Sequence, residues 1–187
     1  MKEFVLRLLK KKLSPFYYYH NYEHTLYVLN KALEIAKHEN CTAKEIRLLR
    51  AAALWHDAGF INVYENHEEE SCKLAKEFLP RFGYAKEDIN KICEMIMATK
   101  IPQSPKNKLE EIIVDADLEY LGTDKAVANA NNLFMELQHL DPSLTKKKWD
   151  KTQILFLQQH HYLTSFCKQT KEQAKLLYLN LLIDEKG

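Results

Sequence analysis

Glycine and proline are scarce in this chain, with four glycines and five prolines among 187 residues. All-β folds with many tight turns need more of both, so this composition favours long helices. No stretch has the clear alternation of apolar and polar residues that is typical of a half-buried strand. The sequence therefore predicts an all-α fold, a helical bundle of about eight to nine helices.

Paired cysteines, long apolar runs and net charge are lacking as well. The four cysteines form no CxxC pair, which indicates reduced thiols rather than a disulfide framework or a zinc knuckle. Arg7 and Lys10 interrupt the apolar N-terminal stretch, so it is neither a signal peptide nor a spanning helix. A net charge of +1 argues against a general nucleic-acid binder. We therefore expect a cytoplasmic protein with no membrane partner.

Apolar residues recur at helical spacing along most of the chain. Two helices are expected to begin after Thr42, which has Glu45 three residues later as in a capping box, and after Asn66. The other predicted helices cover residues 3–13, 22–38, 86–99, 108–121, 124–139, 145–163 and 170–184. At this length one domain over residues 1–187 is expected, with a core at about 17–140 and helices 145–184 packed on it.

The most informative stretch is an apolar run that ends in a histidine followed by a carboxylate, His56-Asp57. Burying such a pair is costly unless something compensates its charge and satisfies its polar atoms. A divalent cation does both, because it accepts imidazole nitrogen and carboxylate oxygen as ligands. Gly59 indicates that the preceding helix ends here, where adjacent side chains can share one ligand.

Two further positions complete a candidate ligand set. His24 falls in the first turn of the second predicted helix. Asp115 and Asp117 lie in the strongly apolar segment 112–118, where core helices seldom tolerate a carboxylate without a partner. The predicted ligands are His24, His56, Asp57 and Asp117, with Asp115 as an alternative to Asp117. Two histidines and two aspartates suit a divalent ion such as Mn, Mg, Fe, Zn or Co.

This pattern resembles the HD-domain metal-dependent phosphohydrolases, which have a His, then a His-Asp pair, then a distant Asp within a helix. The chain supplies them in YHNYEH, LWHDAG and VDADLEYLG. The resemblance covers about residues 17–183, includes an ATK segment at 98–100, and selects Asp117 over Asp115. It implies an all-helical HD-type bundle with a mono- or dinuclear metal site that hydrolyses phosphate esters.

One position departs from some members of that family. Phe60 stands three residues after Asp57, where some HD nucleotidases and alarmone hydrolases carry an acid. Glu68 is therefore the candidate that orients or deprotonates the water, with Asp57 as the other catalytic candidate. Glu68 equally suits a helix N-terminus, where the dipole favours acidic residues. His67 is a candidate ligand for a second metal ion.

Candidates for substrate binding lie beside these motifs. Lys100 precedes a proline-containing loop and can hold substrate phosphate as a point charge, or it is a solvated loop lysine. His20 and Asn21 either line the mouth of the pocket or cap the second helix. His160 and His161 lie far from the pattern and are expected at the surface.

These observations predict a metal-dependent phosphohydrolase that cleaves a nucleotide or another small phosphorylated metabolite with metal-activated water. The alternative is a non-catalytic regulatory module that binds a nucleotide or second messenger in the same pocket, and Phe60 favours it. A structural scaffold is the third hypothesis. Nucleic acid is not expected as a partner, and a homodimer is one option for assembly.

Overall fold

Helices make up the regular structure of this protein. Within residues 1–184, which the computed structural model describes, there are ten α-helices and no strand, so the all-α prediction is confirmed. Short 3-10 turns cover Ala58–Ile61, Leu79–Phe82 and Glu119–Gly122. The helices are α1 (Lys2–Lys12), α2 (Tyr22–His38), α3 (Ala43–Trp55), α4 (His67–Phe78), α5 (Lys86–Ala98), α6 (Lys108–Asp117), α7 (Ala126–Leu140), α8 (Lys146–Gln159), α9 (Ser165–Thr170) and α10 (Glu172–Asp184).

Local capping signals placed several helix starts correctly. At the start of α3 the Glu45 N–H donates to Thr42 Oγ1 at 3.3 Å, and Glu45 Oε2 accepts from the Thr42 N–H at 2.7 Å. This is the expected capping box. Asn66 does precede α4, but its backbone is left-handed with φ 56° and its side chain makes no cap. Its Oδ1 instead accepts a hydrogen bond from Lys100 Nζ at 2.9 Å.

The C-terminal helices differ from the predicted spans. The helix expected over 145–163 ends at Gln159, and α9 precedes the helix expected over 170–184. Buried Asp115 explains the break, because its carboxylate accepts the N–H groups of Leu163 at 2.9 Å and Thr164 at 2.8 Å. Thr164 then caps α9. Asp115 is therefore committed to this segment.

Two apolar clusters form the interior. The larger one gathers side chains of α2, α3, α5 and α6, among them Leu29, Leu49 and Trp55. The smaller one joins the 3-10 turn at Glu119–Gly122 to α8 and α10 through Leu157, Leu179 and others. His160, expected at the surface, is buried at the end of α8 with neither ring nitrogen hydrogen-bonded.

The prediction of one domain over residues 1–187 extends past the described residues and stays a prediction. No helix within residues 1–184 combines the length and the apolar character that crossing a bilayer requires. Three of the buried polar side chains, His24, His56 and Asp57, lie where the ends of α2, α3 and α6 meet.

Candidate metal centre and adjoining cavity

The four predicted ligands come from the ends of three helices. His24 lies in the first turn of α2, His56 is the C-cap of α3 with Asp57 following it, and Asp117 is the last residue of α6. These ends meet because α2 packs against both α3 and α6. Adjacent residues within a helix point about 100° apart, so the end of α3 is what allows His56 and Asp57 to face the same point.

The donor atoms of these side chains form a close group of alternating nitrogen and oxygen. His24 Nε2 lies 3.0 Å from Asp117 Oδ1 and 3.5 Å from Asp57 Oδ2. His56 Nε2 lies 3.1 Å from Asp57 Oδ2 and 3.5 Å from Asp117 Oδ1. Donor atoms of His24, His56 and Asp117 all fall within 4.8 Å of one another. Ligands around one divalent cation are spaced in this way.

The hydrogen bonds of His56 test whether a cation fits. Its Nδ1 donates to the Ala53 carbonyl at 2.9 Å, so the neutral ring has its lone pair on Nε2. That Nε2 and Asp57 Oδ2 are both buried, and neither has a hydrogen-bond partner. Buried polar atoms without partners are rare in folded proteins. A divalent cation between them would satisfy both, so these residues fit the metal that the sequence predicts.

The carboxylates of the group remain ionised. Burial alone would raise the pKa of Asp57 and Asp117, but the neighbouring imidazoles outweigh it and hold both well below 3.8. Burial also lowers the pKa of His56, and the adjacent carboxylates more than reverse this effect. Two negative charges in a buried setting attract a cation strongly.

The start of α4 closes one side of this group. His67 Nε2 lies 3.4 Å from Asp57 Oδ1 and 3.6 Å from Glu68 Oε1. Phe60 is buried and stacks on the His67 ring with centroids 3.8 Å apart and on the His20 ring at 4.3 Å. The position that carries an acid in some HD enzymes is therefore an apolar wall between two imidazoles.

Gly59 brings α4 this close. A Cβ at this position would lie 1.9 Å from the His67 carbonyl oxygen, and the Gly59 N–H donates to Ser71 Oγ at 2.7 Å. The helix end expected near Gly59 is present, because α3 ends at Trp55, and the chain continues into the 3-10 turn at Ala58–Ile61 without a left-handed backbone at Gly59. The glycine is needed for the close approach of the α4 backbone.

A cavity of about 460 Å³ opens beside the group. Asp57 and Asp117 line one end of it, together with Glu68, His67 and His20. The other end is lined by α7 and α8. The volume lies within the range of sites that hold small organic ligands, roughly 300–1,000 Å³.

Comparison with known proteins agrees with this geometry. Residues 21–119, just over half of the chain, match the family model of the HD domain. This chain is a member of the HD domain family. No curated protein matches it.

Two solved structures are similar over nearly the whole chain. One is a predicted HD superfamily hydrolase from an uncultured Thermotogales bacterium, with 20% identity, TM-score 0.65, and coverage of 99% of this chain and 92% of that one. The other is Bacillus subtilis YpgQ in complex with ADP, with 18% identity, TM-score 0.66, and coverage of 98% and 92%. At these identities the likeness concerns the fold.

The cavity of this HD protein also depends on a residue that sequence reasoning missed, Glu136 of α7. It is fully buried and accepts hydrogen bonds from the N–H groups of Tyr19 at 2.9 Å and His20 at 3.0 Å. His20 Nδ1 also donates to it at 2.5 Å. Burial lowers the pKa of His20, but this bond outweighs the effect and raises it. An acid inside the apolar run LFMEL was the available signal.

The other predicted residues occupy different positions. Glu68 is buried and lines the cavity. Lys100 lies at its edge, where Nζ contacts Glu69 Oε1 at 2.5 Å. Asn21 caps α2, accepting from the N–H groups of Glu23 at 2.8 Å and His24 at 3.2 Å, and does not line the cavity. Its predicted role in substrate binding stays a prediction.

Proposed function

We propose that this HD domain protein is a metal-dependent phosphohydrolase that acts on a small phosphate ester. The observation that carries the proposal is the pair of buried, unpartnered atoms His56 Nε2 and Asp57 Oδ2, which face the same point beside a ligand-sized cavity. A bound divalent cation would supply Lewis-acid activation of water and of the phosphoryl oxygen.

The ligand assignment follows from the donor set. His24 and His56 would offer neutral imidazole nitrogen, and Asp57 and Asp117 would offer carboxylate oxygen. Such mixed ligands suit Mn, Fe, Zn or Co, and also Mg where water completes the coordination. His67 Nε2 lies 3.4 Å from Oδ1 of Asp57, the carboxylate oxygen that faces away from His56. This position supports His67 as the candidate ligand of a second ion.

Glu68 is the proposed general base. It is buried against the cavity in the first turn of α4. Asp57, the other candidate, already has both oxygens close to imidazoles. A carboxylate engaged as a ligand accepts a proton less readily, so Glu68 is better suited to take the proton of the attacking water.

Phosphate binding is assigned to His20 and Lys100. Glu136 holds Nδ1 of His20 and favours the protonated ring, so Nε2–H is available as a donor to a phosphoryl oxygen. Lys100 contributes a charge at the edge of the cavity, although Glu69 already pairs with it. His20 is therefore the stronger of the two candidates.

A non-catalytic module that binds a nucleotide or second messenger is the second candidate. Phe60 favours it, because this residue places an aromatic ring where some HD enzymes have an acid. YpgQ of Bacillus subtilis was solved with ADP, which makes a nucleotide a candidate ligand here as well.

Metal analysis combined with a panel of phosphate esters distinguishes these functions. The purified protein is loaded with each metal, analysed for metal content, and assayed for phosphate release before and after chelation. We expect metal-dependent release, and loss of metal without loss of helicity in His56→Ala and Asp57→Ala. His161→Ala, at an exposed histidine, is the matched control. Full metal content in either variant would refute the ligand set, and nucleotide binding without phosphate release would favour the regulatory module.

Glu68→Gln tests the proposed base. The substitution keeps the size of the side chain and removes its basicity, so we expect normal metal content and turnover lower by about two orders of magnitude. Glu70→Gln should match the wild type, because Glu70 faces Asn62 and Lys73 rather than the cavity. Retained turnover in Glu68→Gln would show that Glu68 is not the base and only stabilises the start of α4.

A further inference from the structure

The far end of the cavity differs chemically from the metal centre. We call this end the apolar chamber. Its walls come from α7 and α8, outside the residues that match the HD family model. The chamber is lined by Ala130, Leu133, Leu137, Trp149, Phe156 and Leu157. A group of the substrate that enters this space leaves water and meets mainly hydrocarbon and aromatic rings.

Few polar groups are available on the chamber walls. Gln153 lines the cavity, but its Oε1 accepts the hydroxyl of Tyr178. Thr152 adds one hydroxyl, which donates to the Lys148 carbonyl, and Trp149 adds one buried Nε1–H that has no hydrogen-bond partner among the described residues. A ribose has several hydroxyl groups that need partners when buried, and unpaired polar groups are costly in such surroundings. The chamber therefore suits an apolar organic group better than a sugar.

The charges around the cavity limit the number of phosphoryl groups. Among its described lining residues, Lys100 carries the one permanent positive charge, which is already paired with Glu69, and His20 adds a second when its ring is protonated. Three carboxylates, Asp57, Glu68 and Asp117, face the same space. A polyphosphate chain needs several cations to offset its charge. One phosphoryl group beside the metal centre fits this balance better.

We propose that the substrate is a phosphate monoester of a hydrophobic alcohol or phenol. The organic group occupies the apolar chamber and the phosphoryl group faces the metal centre. Hydrolysis joins the oxygen of water to phosphorus and breaks the bond from phosphorus to the ester oxygen. The ester oxygen takes up a proton released by the water and leaves as the neutral alcohol, beside inorganic phosphate. This inference rests on the phosphohydrolase function proposed above.

Four phosphate compounds test the preference. Cyclohexylmethyl phosphate, ethyl phosphate and AMP are esters of primary alcohols, so their intrinsic reactivities are similar, and ATP represents a polyphosphate. We expect kcat/KM for cyclohexylmethyl phosphate to exceed that for ethyl phosphate and AMP by about tenfold or more, the scale on which hydrophobic pockets discriminate. Equal or better hydrolysis of AMP or ATP would overturn the inference and leave the phosphohydrolase function intact.

Ala130→Leu tests the chamber itself, because the larger side chain fills it. We expect kcat/KM for cyclohexylmethyl phosphate to fall by about tenfold, with ethyl phosphate and metal content unchanged. Ala128→Leu is the matched control, since Ala128 lies on the exposed side of the same helix. If Ala130→Leu does not fold, Leu133→Phe fills the same space. An equal fall for both esters would refute the chamber as the specificity site.

A binding measurement separates the two proposals. Calorimetry with cyclohexylmethylphosphonate and ethylphosphonate, which are not hydrolysed, reports the preference of the chamber without turnover. We expect tighter binding of the cyclohexylmethyl compound by about tenfold, lost in Ala130→Leu. Equal binding would overturn the inference. No phosphate release from any compound with any metal would overturn the phosphohydrolase function and, with it, the assignment of a substrate.

Discussion

Gly59→Ala should damage both the stability and the activity of this protein. The glycine lies at the contact between the metal-binding segment and the start of α4. A Cβ there would lie 1.9 Å from the His67 carbonyl oxygen and 2.8 Å from the Ser71 nitrogen, whereas real Cβ contacts essentially never fall under 3.0 Å. The backbone of α4 must therefore withdraw by at least 1.1 Å from its present position, the difference between 3.0 Å and 1.9 Å.

Both expected effects follow from that displacement. Overpacking of a buried contact costs about 1–3 kcal/mol. The hydrogen bond from the Gly59 N–H to Ser71 Oγ is stretched as well, which adds about 1 kcal/mol. We expect the free energy of unfolding to fall by about 2–4 kcal/mol. Because α4 carries His67 and Glu68, a shift of about 1 Å should also lower turnover by about 100-fold.

Urea unfolding, metal content and phosphate release measure these effects on one preparation. Gly83→Ala is the matched control, because Gly83 has φ 72° and no neighbour within 4 Å of a built Cβ. It should lose about 1–2 kcal/mol from left-handed backbone strain and keep full turnover. Wild-type stability and turnover in Gly59→Ala would refute the close approach of α4 as the reason for this glycine.

Three further substitutions have distinct expected outcomes. Burial lowers the pKa of His160 from 6.5 to about 4. As pH falls from 6.5 to 4, the free energy of unfolding of the wild type should therefore fall by up to about 3 kcal/mol relative to that of His160→Gln. The same pH dependence of the unfolding free energy in both proteins, measured by urea titration, would contradict this. Asp115→Ala removes the carboxylate that accepts hydrogen bonds from residues 163–164. The free energy of unfolding should fall by about 3 kcal/mol while the metal content stays unchanged. Loss of metal without loss of stability would contradict this prediction. Glu136→Gln should keep metal and shift the alkaline limb of the pH–rate profile to lower pH, because His20 must be protonated to donate to phosphate and its pKa falls without the carboxylate. An unchanged profile would exclude protonated His20 as the hydrogen-bond donor to phosphate.

Helix starts were predictable from the sequence because their signals are local. The bounds of α2 follow from apolar spacing and from Asn21, and α3 begins at the capping box of Thr42. The end of α8 was not predictable in this way. It depends on Asp115, whose carboxylate acts on a segment 48 residues along the chain. The apolar spacing within residues 145–163 does not indicate that interaction.

The residues of the candidate site also differ in whether a local sequence signal marks them. The motif residues His24, His56, Asp57 and Asp117 do come together, because each is marked by a helix end or by an apolar context. Glu136 was missed because its partner, the imidazole of His20, lies 116 residues away in sequence. The apolar chamber was missed for a similar reason, since its lining side chains look like ordinary core residues of α7 and α8.

Glu136 connects the metal centre to the apolar chamber. Its carboxylate binds the backbone of Tyr19 and His20, just before α2 brings His24 to the metal centre. The same residue belongs to α7, which lines the apolar chamber through Ala130 and Leu133. These hydrogen bonds, together with the apolar packing of Ala126 and Leu133 in one cluster with Tyr19, tie α7 to the segment before α2. A substitution that reshapes α7 without disturbing Glu136 should alter which organic group fits and leave the metal centre unchanged.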